Sequence, residues 1–154
     1  MEDVWDVDEF DELKRRSFLQ VLFKVARLAN EESIARARRA ADDDRIRVAH
    51  TRLFPFLSFE GVRLTSLAER VGVSKQAVQQ LVDKLEEMDL VERVPDPFDG
   101  RAKLIRIGRT GKRALTHGLG VLGAFEAELA DVVGTEELAT THAVLLKLLD
   151  ALES

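Results

Sequence analysis

The sequence predicts a mainly α-helical chain with one small β-hairpin, and three observations carry that prediction. Apolar residues recur at helical spacing through most of the 154 residues. Two of the helical stretches meet at a break of only two residues, Gly72 and Val73. Finally, VPDPFDGRAKLIRI, residues 94–107, sets two prolines and an Asp-Gly pair between short β-prone runs.

Phe10 to Leu28 has apolar residues at 10, 13, 18, 21, 22, 25 and 28, close to a 3.6-residue period, which predicts a first amphipathic helix. NEESIARARRAADDD, which follows, either extends that helix or connects it to the next. Arg45 to Phe59 reads as a second helix that Pro55 should kink or interrupt and Gly61 stops. Leu64, Leu67, Ala68 and Val71 form one face of a short helix, with Thr65 or Ser66 as its predicted cap. Ser74 is the predicted N-cap of the next helix, whose apolar stripe is Val78, Leu81, Val82, Leu85 and Met88. Two helices joined by so short a glycine-containing turn make a helix-turn-helix. LVERV and AKLIRI are the predicted hairpin strands, and PDPFDG is turn chemistry, because Pro fixes φ and Asp-Gly tolerates positive φ. From Arg109 the chain returns to helix through about residue 129. A last helix follows, with Thr135 as its predicted cap and leucines at 138, 145, 146, 148, 149 and 152. Helix, turn, helix and hairpin in that order describe a winged helix-turn-helix with helices at both ends.

Composition narrows the function. With 45% hydrophobic and 33% charged residues the chain is globular rather than disordered. Having no cysteine, it has no disulfide, no thiolate metal site and no thiol redox sensor. The acidic opening MEDVWDVDEFDELKRR lacks the apolar run of a signal peptide, and no stretch approaches membrane-spanning length. A soluble cytoplasmic protein is expected, with no membrane partner. His50, His117 and His142 are scattered, so no metal site and no cofactor is expected. Without cysteine, tyrosine or a glycine-rich phosphate loop there is no catalytic constellation, and an enzyme is not expected.

The net charge of −5 argues against a nucleic-acid partner, but its distribution argues for one. Gly61 to Arg113 holds 11 Lys and Arg against 8 Asp and Glu, whereas the remainder holds 12 against 20. A polyanion responds to the field at the contact surface rather than to the total. The second helix of a helix-turn-helix fits the major groove and reads it with its N-terminal residues. Away from the apolar stripe that helix shows Lys75, Gln76, Gln79 and Gln80, then Asp83 and Lys84. Gln can pair bidentately with adenine, Lys75 can reach guanine or phosphate, and Ser74 sits where a helix N-terminus favours phosphate. Thr65 and Ser66 on the first helix join this candidate DNA-facing set. On the hairpin, Arg101 and Lys103 follow the turn, and a guanidinium there can enter a minor groove. Asp99 is placed to hold Arg101 through a bidentate pair. The plainer readings are solvated helix residues and an ordinary surface ion pair worth ~0–1 kcal/mol. Beside a helix-turn-helix, the DNA reading takes precedence.

At these residues the sequence resembles the MarR family of winged helix-turn-helix transcriptional regulators, over residues 45–113. The Asp-x-Arg-Ala-Lys run of Asp99, Arg101, Ala102 and Lys103 fits that family's wing, as do Val91-Glu92-Arg93 and Gly111. Three positions depart from its pattern: Gly108 stands where a capping Thr is usual, Asp89 where the recognition helix often ends on Gly, and Gly100 where a second basic residue is common. The resemblance implies a homodimer in which helices of both termini, residues 1–44 and 114–154, intertwine with a second chain around the 45–113 reading head. The first and last helices support this independently, since their apolar faces need burial; an intramolecular bundle is the alternative. Such a dimer sets two recognition helices about 34–36 Å apart, matched to a pseudo-palindromic site on double-stranded DNA. The resemblance also implies a repressor released by a small aromatic ligand, for which His50, Phe54 and Phe56 are the candidate pocket residues, with Phe59 and Trp5 as further candidates for its lining. Aromatics at this spacing can equally be core. A protein–protein adaptor built on the same fold is the second function class, and the acidic total fits it.

Overall fold

A computed structural model describes residues 6–154. The chain forms two compact units, one ending at Pro55 and the other spanning Phe56–Ser154. In the first, the expected single N-terminal helix is two: α1, Val7–Arg16, and α2, Phe18–Ala41. Ser17 separates them, serving as C-cap of the first and N-cap of the second, its hydroxyl accepting from the Gln20 amide at 3.4 Å. A residue whose side chain competes for backbone donors breaks a periodic pattern without any Pro or Gly to announce it. NEESIARARRAADDD resolves as the continuation of α2, which ends on Asp42 in the left-handed conformation.

The helix expected over Arg45–Phe59 is not continuous. Only α3, Val48–Thr51, is α-helical, and a 3-10 turn at Phe54–Phe56 carries Pro55. The ring's missing N–H and its clash with the preceding turn account for the interruption. Leu53 is fully buried, and His50 is buried with its Nδ1 accepting from the Arg47 amide at 2.9 Å.

The second unit holds a three-stranded antiparallel sheet in the order β1, β3, β2, with β1 Val62–Arg63, β2 Val91–Asp96 and β3 Asp99–Ile107. Packed on it are α4, Leu64–Val71, and α5, Lys75–Glu87. Their predicted apolar faces supply the core: Leu67, Ala68, Val78, Val82 and Leu85 are buried together with Val91 and Ile105 of the sheet. Gly72 closes α4 at φ 72°, its amide reaching back to the Ala68 carbonyl at 3.0 Å. Asp89 takes the equivalent bend after α5 at φ 57°, as its position at the helix end requires.

Two capping expectations fail. The residue before α4 is Arg63, with no side-chain cap, so neither Thr65 nor Ser66 opens that helix. Strand pairing of Val62 and Arg63 with Ile105 and Leu104 fixes the entry instead. After the wing, α6 runs from Arg109 to Val133 and α7 from Thr135 to Glu153; Gly134 rather than Thr135 occupies the cap position between them. No residue of α7 is buried, and Leu145, Leu146, Leu148, Leu149 and Leu152 are all exposed, as are Phe10, Leu13, Phe18 and Phe23 of α1 and α2.

Candidate nucleic-acid interface

The second helix of the helix-turn-helix, α5, begins where the sequence placed it. Ser74 Oγ accepts from the Ala77 amide at 3.1 Å, fixing the first turn. Beyond this cap, Lys75, Gln76, Gln80 and Lys84 are exposed and Gln79 is half-buried. Lys84 is countered locally by Glu87 at 2.7 Å, whereas Lys75 makes no ion pair among the described residues. Gln79 donates from Nε2 to Asp83 Oδ1 at 2.6 Å. A carboxylate only accepts, so this contact settles which way the amide points. It also leaves the Gln79 carbonyl and one N–H free, which is the pair a bidentate adenine contact uses. Thr65 is exposed on α4 and Ser66 half-buried.

Asp83 is itself held. Arg93 of β2 donates to Asp83 at 2.6 Å and also pairs with Glu86, so one arginine at the base of the wing grips two turns of α5. The sequence reading included Arg93 in a wing motif but missed this cross-link; the acids four and seven residues beyond Gln79 were the signal available.

The hairpin differs from expectation in its turn. Its two loop residues are Pro97 and Phe98, flanked by the Asp96–Asp99 pair, and Asp99-Gly100 lies inside β3 with no positive φ. Asp followed by Pro at the first central position is the signature of a turn with negative φ throughout. Between the Pro95–Lys103 and Asp96–Asp99 pairs the register shifts, so Gly100, Arg101 and Ala102 have no opposing residues. β2 is an edge strand, which is why Pro95, lacking an N–H, is tolerated in it.

The expected bidentate Asp99–Arg101 pair does not form. Asp99 Oδ1 accepts instead from the Arg101 backbone amide at 3.1 Å, the local bond a short acidic side chain makes two residues ahead. The Arg101 guanidinium is left exposed and without an ion pair among the described residues, and Lys103 beside it is likewise exposed. The residue that anchors the wing is one the sequence reading did not single out. Arg63, at the junction of β1 and α4, donates from Nε to Asp96 Oδ2 at 2.7 Å and lies 3.9 Å from Asp99. Asp96 is buried, and its other oxygen accepts from the Phe98 amide at 2.8 Å. The Phe98 amide and then the Arg63 guanidinium hold its carboxyl below the usual carboxylate range against the opposing effect of burial. No sequence pattern links positions 33 residues apart, so only the two-residue strand β1 reveals the pair.

Of the candidate pocket residues, His50 is buried in α3, and Phe54 and Phe56 are half-buried in the 3-10 turn. Phe59 is 56% exposed, its ring 5.8 Å from Lys112 Nζ. Trp5 lies outside the described residues. Among the described residues no three of His, Asp and Glu gather closely enough to hold a metal ion.

Residues 48–102 match the model of the MarR family, a span that takes in α3 to the wing. The fold is similar to that of RV1404 from Mycobacterium tuberculosis, with a TM-score of 0.70 at 21% identity over 86% of this chain and 90% of that one. It is also similar to the transcriptional regulator BldR from Sulfolobus solfataricus, with a TM-score of 0.61 at 26% identity over 93% and 98%. A variant of MepR from S. aureus, solved bound to an oligodeoxyribonucleotide, is similar with a TM-score of 0.54 at 18% identity over 88% and 98%. No curated protein matches the chain. The resemblance to the MarR family therefore stands on the family model over residues 48–102, and the winged-helix fold on the solved structures.

Proposed function

We propose that the chain is a homodimeric, sequence-specific DNA-binding transcriptional regulator. The observation that carries this reading is the outer surface of one compact unit. There α5 exposes Lys75, Gln76 and Gln80, and the wing exposes Arg101 and Lys103 with no internal counter-charge among the described residues. The helix suits the major groove, and the wing's guanidinium suits the negative potential of a minor groove. Domain roles follow: residues 45–113 read DNA, while 1–44 and 114–154 assemble the dimer. The exposed leucines of α7 and the exposed phenylalanines of α1 and α2 support that assembly, because a folded monomer seldom leaves so many large apolar side chains in water. Repression relieved by a small aromatic ligand at His50, Phe54 and Phe56 is the regulatory part of the proposal.

The experiment is a gel shift of the full chain on DNA from its own upstream region at two salt concentrations. Log affinity should fall against log salt with a slope of about −0.9 per neutralised phosphate. Salt-insensitive or absent binding would support the adaptor reading instead. Gln76→Ala and Gln79→Ala should then relax preference at particular bases, each pair being worth about 1–3 kcal/mol of discrimination. Equal loss on every sequence would reduce those glutamines to positioning the helix. Adding candidate aromatic effectors to the same assay tests the ligand, whose signature is release of the bound DNA.

A further inference from the structure

We propose that the wing tip is an apolar wedge, with the Phe98 ring entering the minor groove at a deformable base step. The inference rests on the DNA-binding reading above and adds a contact that neither charge nor hydrogen bonding supplies. Phe98 is 95% exposed, against 62% or less for the other exposed phenylalanines. Its ring therefore contributes nothing to the core of this chain.

The tip that carries the ring is built to be stiff. Pro97 fixes the backbone on one side. On the other, the buried Asp96 uses its two oxygens separately: Oδ1 takes the Phe98 amide at 2.8 Å and Oδ2 takes the Arg63 guanidinium. Arg63 immediately precedes α4, so the tip is tied through side chains to the helix-turn-helix itself. A group held in place before binding loses little freedom on binding. A merely tolerated surface phenylalanine needs no such support. Arg101 and Lys103 follow on β3 and bring positive charge to the same finger.

Proteins that insert Phe, Leu or Ile between base steps from the minor groove unstack those bases and kink the duplex. Pyrimidine–purine steps yield most readily. A ring at the end of the wing would thus create preference for TA or CA steps at positions where α5 makes no contact.

The test uses the full chain and an operator selected from random duplexes, with 2-aminopurine substituted at successive positions along the flanks. With the wild type, fluorescence should rise at one step in each half-site as stacking is lost there. Phe98→Ala should abolish that rise and weaken operator binding about tenfold, while its melting temperature stays that of the wild type. Phe98→Leu should keep most of both signals, because it preserves an apolar wedge. A flat 2-aminopurine response with tightly bound wild type would overturn the wedge, as would equal affinity of Phe98→Ala and wild type. If the wild type selects no duplex at all, the DNA-binding reading fails first and the wedge with it, an outcome seen before any variant is made.

Discussion

Arg101 and His50 show how differently two single residues can matter. Arg101 projects from an unopposed stretch of β3, so replacing it removes charge without disturbing packing. Arg101→Ala should weaken binding on all sequences and lower the salt slope by about 0.9, with oligomeric state and melting temperature unchanged. Unchanged affinity in a salt titration would take the wing's arginine out of the interface. His50 has the opposite character. Burial first, then the Arg47 and Arg38 charges, push its imidazole below the ordinary 6.5. Its Nδ1 must also stay unprotonated to accept from the Arg47 amide. The unfolded chain therefore binds a proton more readily than the folded one, and stability rises with pH wherever that holds. The contribution is complete above 6.5 and lost as pH falls below it towards the folded-state value. Melting temperature should drop between about pH 7.5 and about pH 5.5, and His50→Asn, whose Oδ1 can take the same hydrogen bond, should flatten that part of the drop. Parallel profiles for the two proteins would discount His50 as the titrating group.

Elements were legible where one periodicity ran undisturbed. The stripe of Val78, Leu81, Val82, Leu85 and Met88, capped by Ser74, gave α5 almost residue for residue, and the alternation in AKLIRI gave β3. What escaped the sequence depends on partners remote along the chain. β1 is two residues long and exists only because β3 offers it an edge, and the Arg63–Asp96 bond that depends on it was equally invisible. Ser17 divides a helical pattern that looked continuous, and Pro97-Phe98 rather than Asp99-Gly100 makes the turn, since each competing signal was locally reasonable. Gly111 is a case in which the sequence marked a position without its reason. A Cβ there would lie 1.9 Å from the Leu90 carbonyl oxygen, which also accepts from the Gly108 amide at 3.2 Å. Neither backbone can give way without parting α6 from the start of the wing. Gly111→Ala should therefore cost about 3 kcal/mol, the upper part of the range for overpacking, in a denaturant melt. A loss below about 0.5 kcal/mol, ordinary for a surface change, would show that the two elements separate freely.

For the molecule as a whole, the exposed leucines of α7 make the oligomeric state the first property to measure. Leu149→Glu places a charge in the middle of that surface, and sedimentation should show the proposed dimer falling apart into monomers while the Phe56–Arg113 region stays folded. A dimer of undiminished stability would move the interface elsewhere. Monomers should also lose operator affinity steeply, because each would retain a single half-site. The sheet imposes a restraint of its own on how copies meet. β2 offers an outer edge, and an unguarded edge is a template on which further strands can add. Pro95 withholds an N–H from the backbone of that edge strand. The finger can thus face water without seeding fibrils; replacing Pro95 by valine would put that protection at risk.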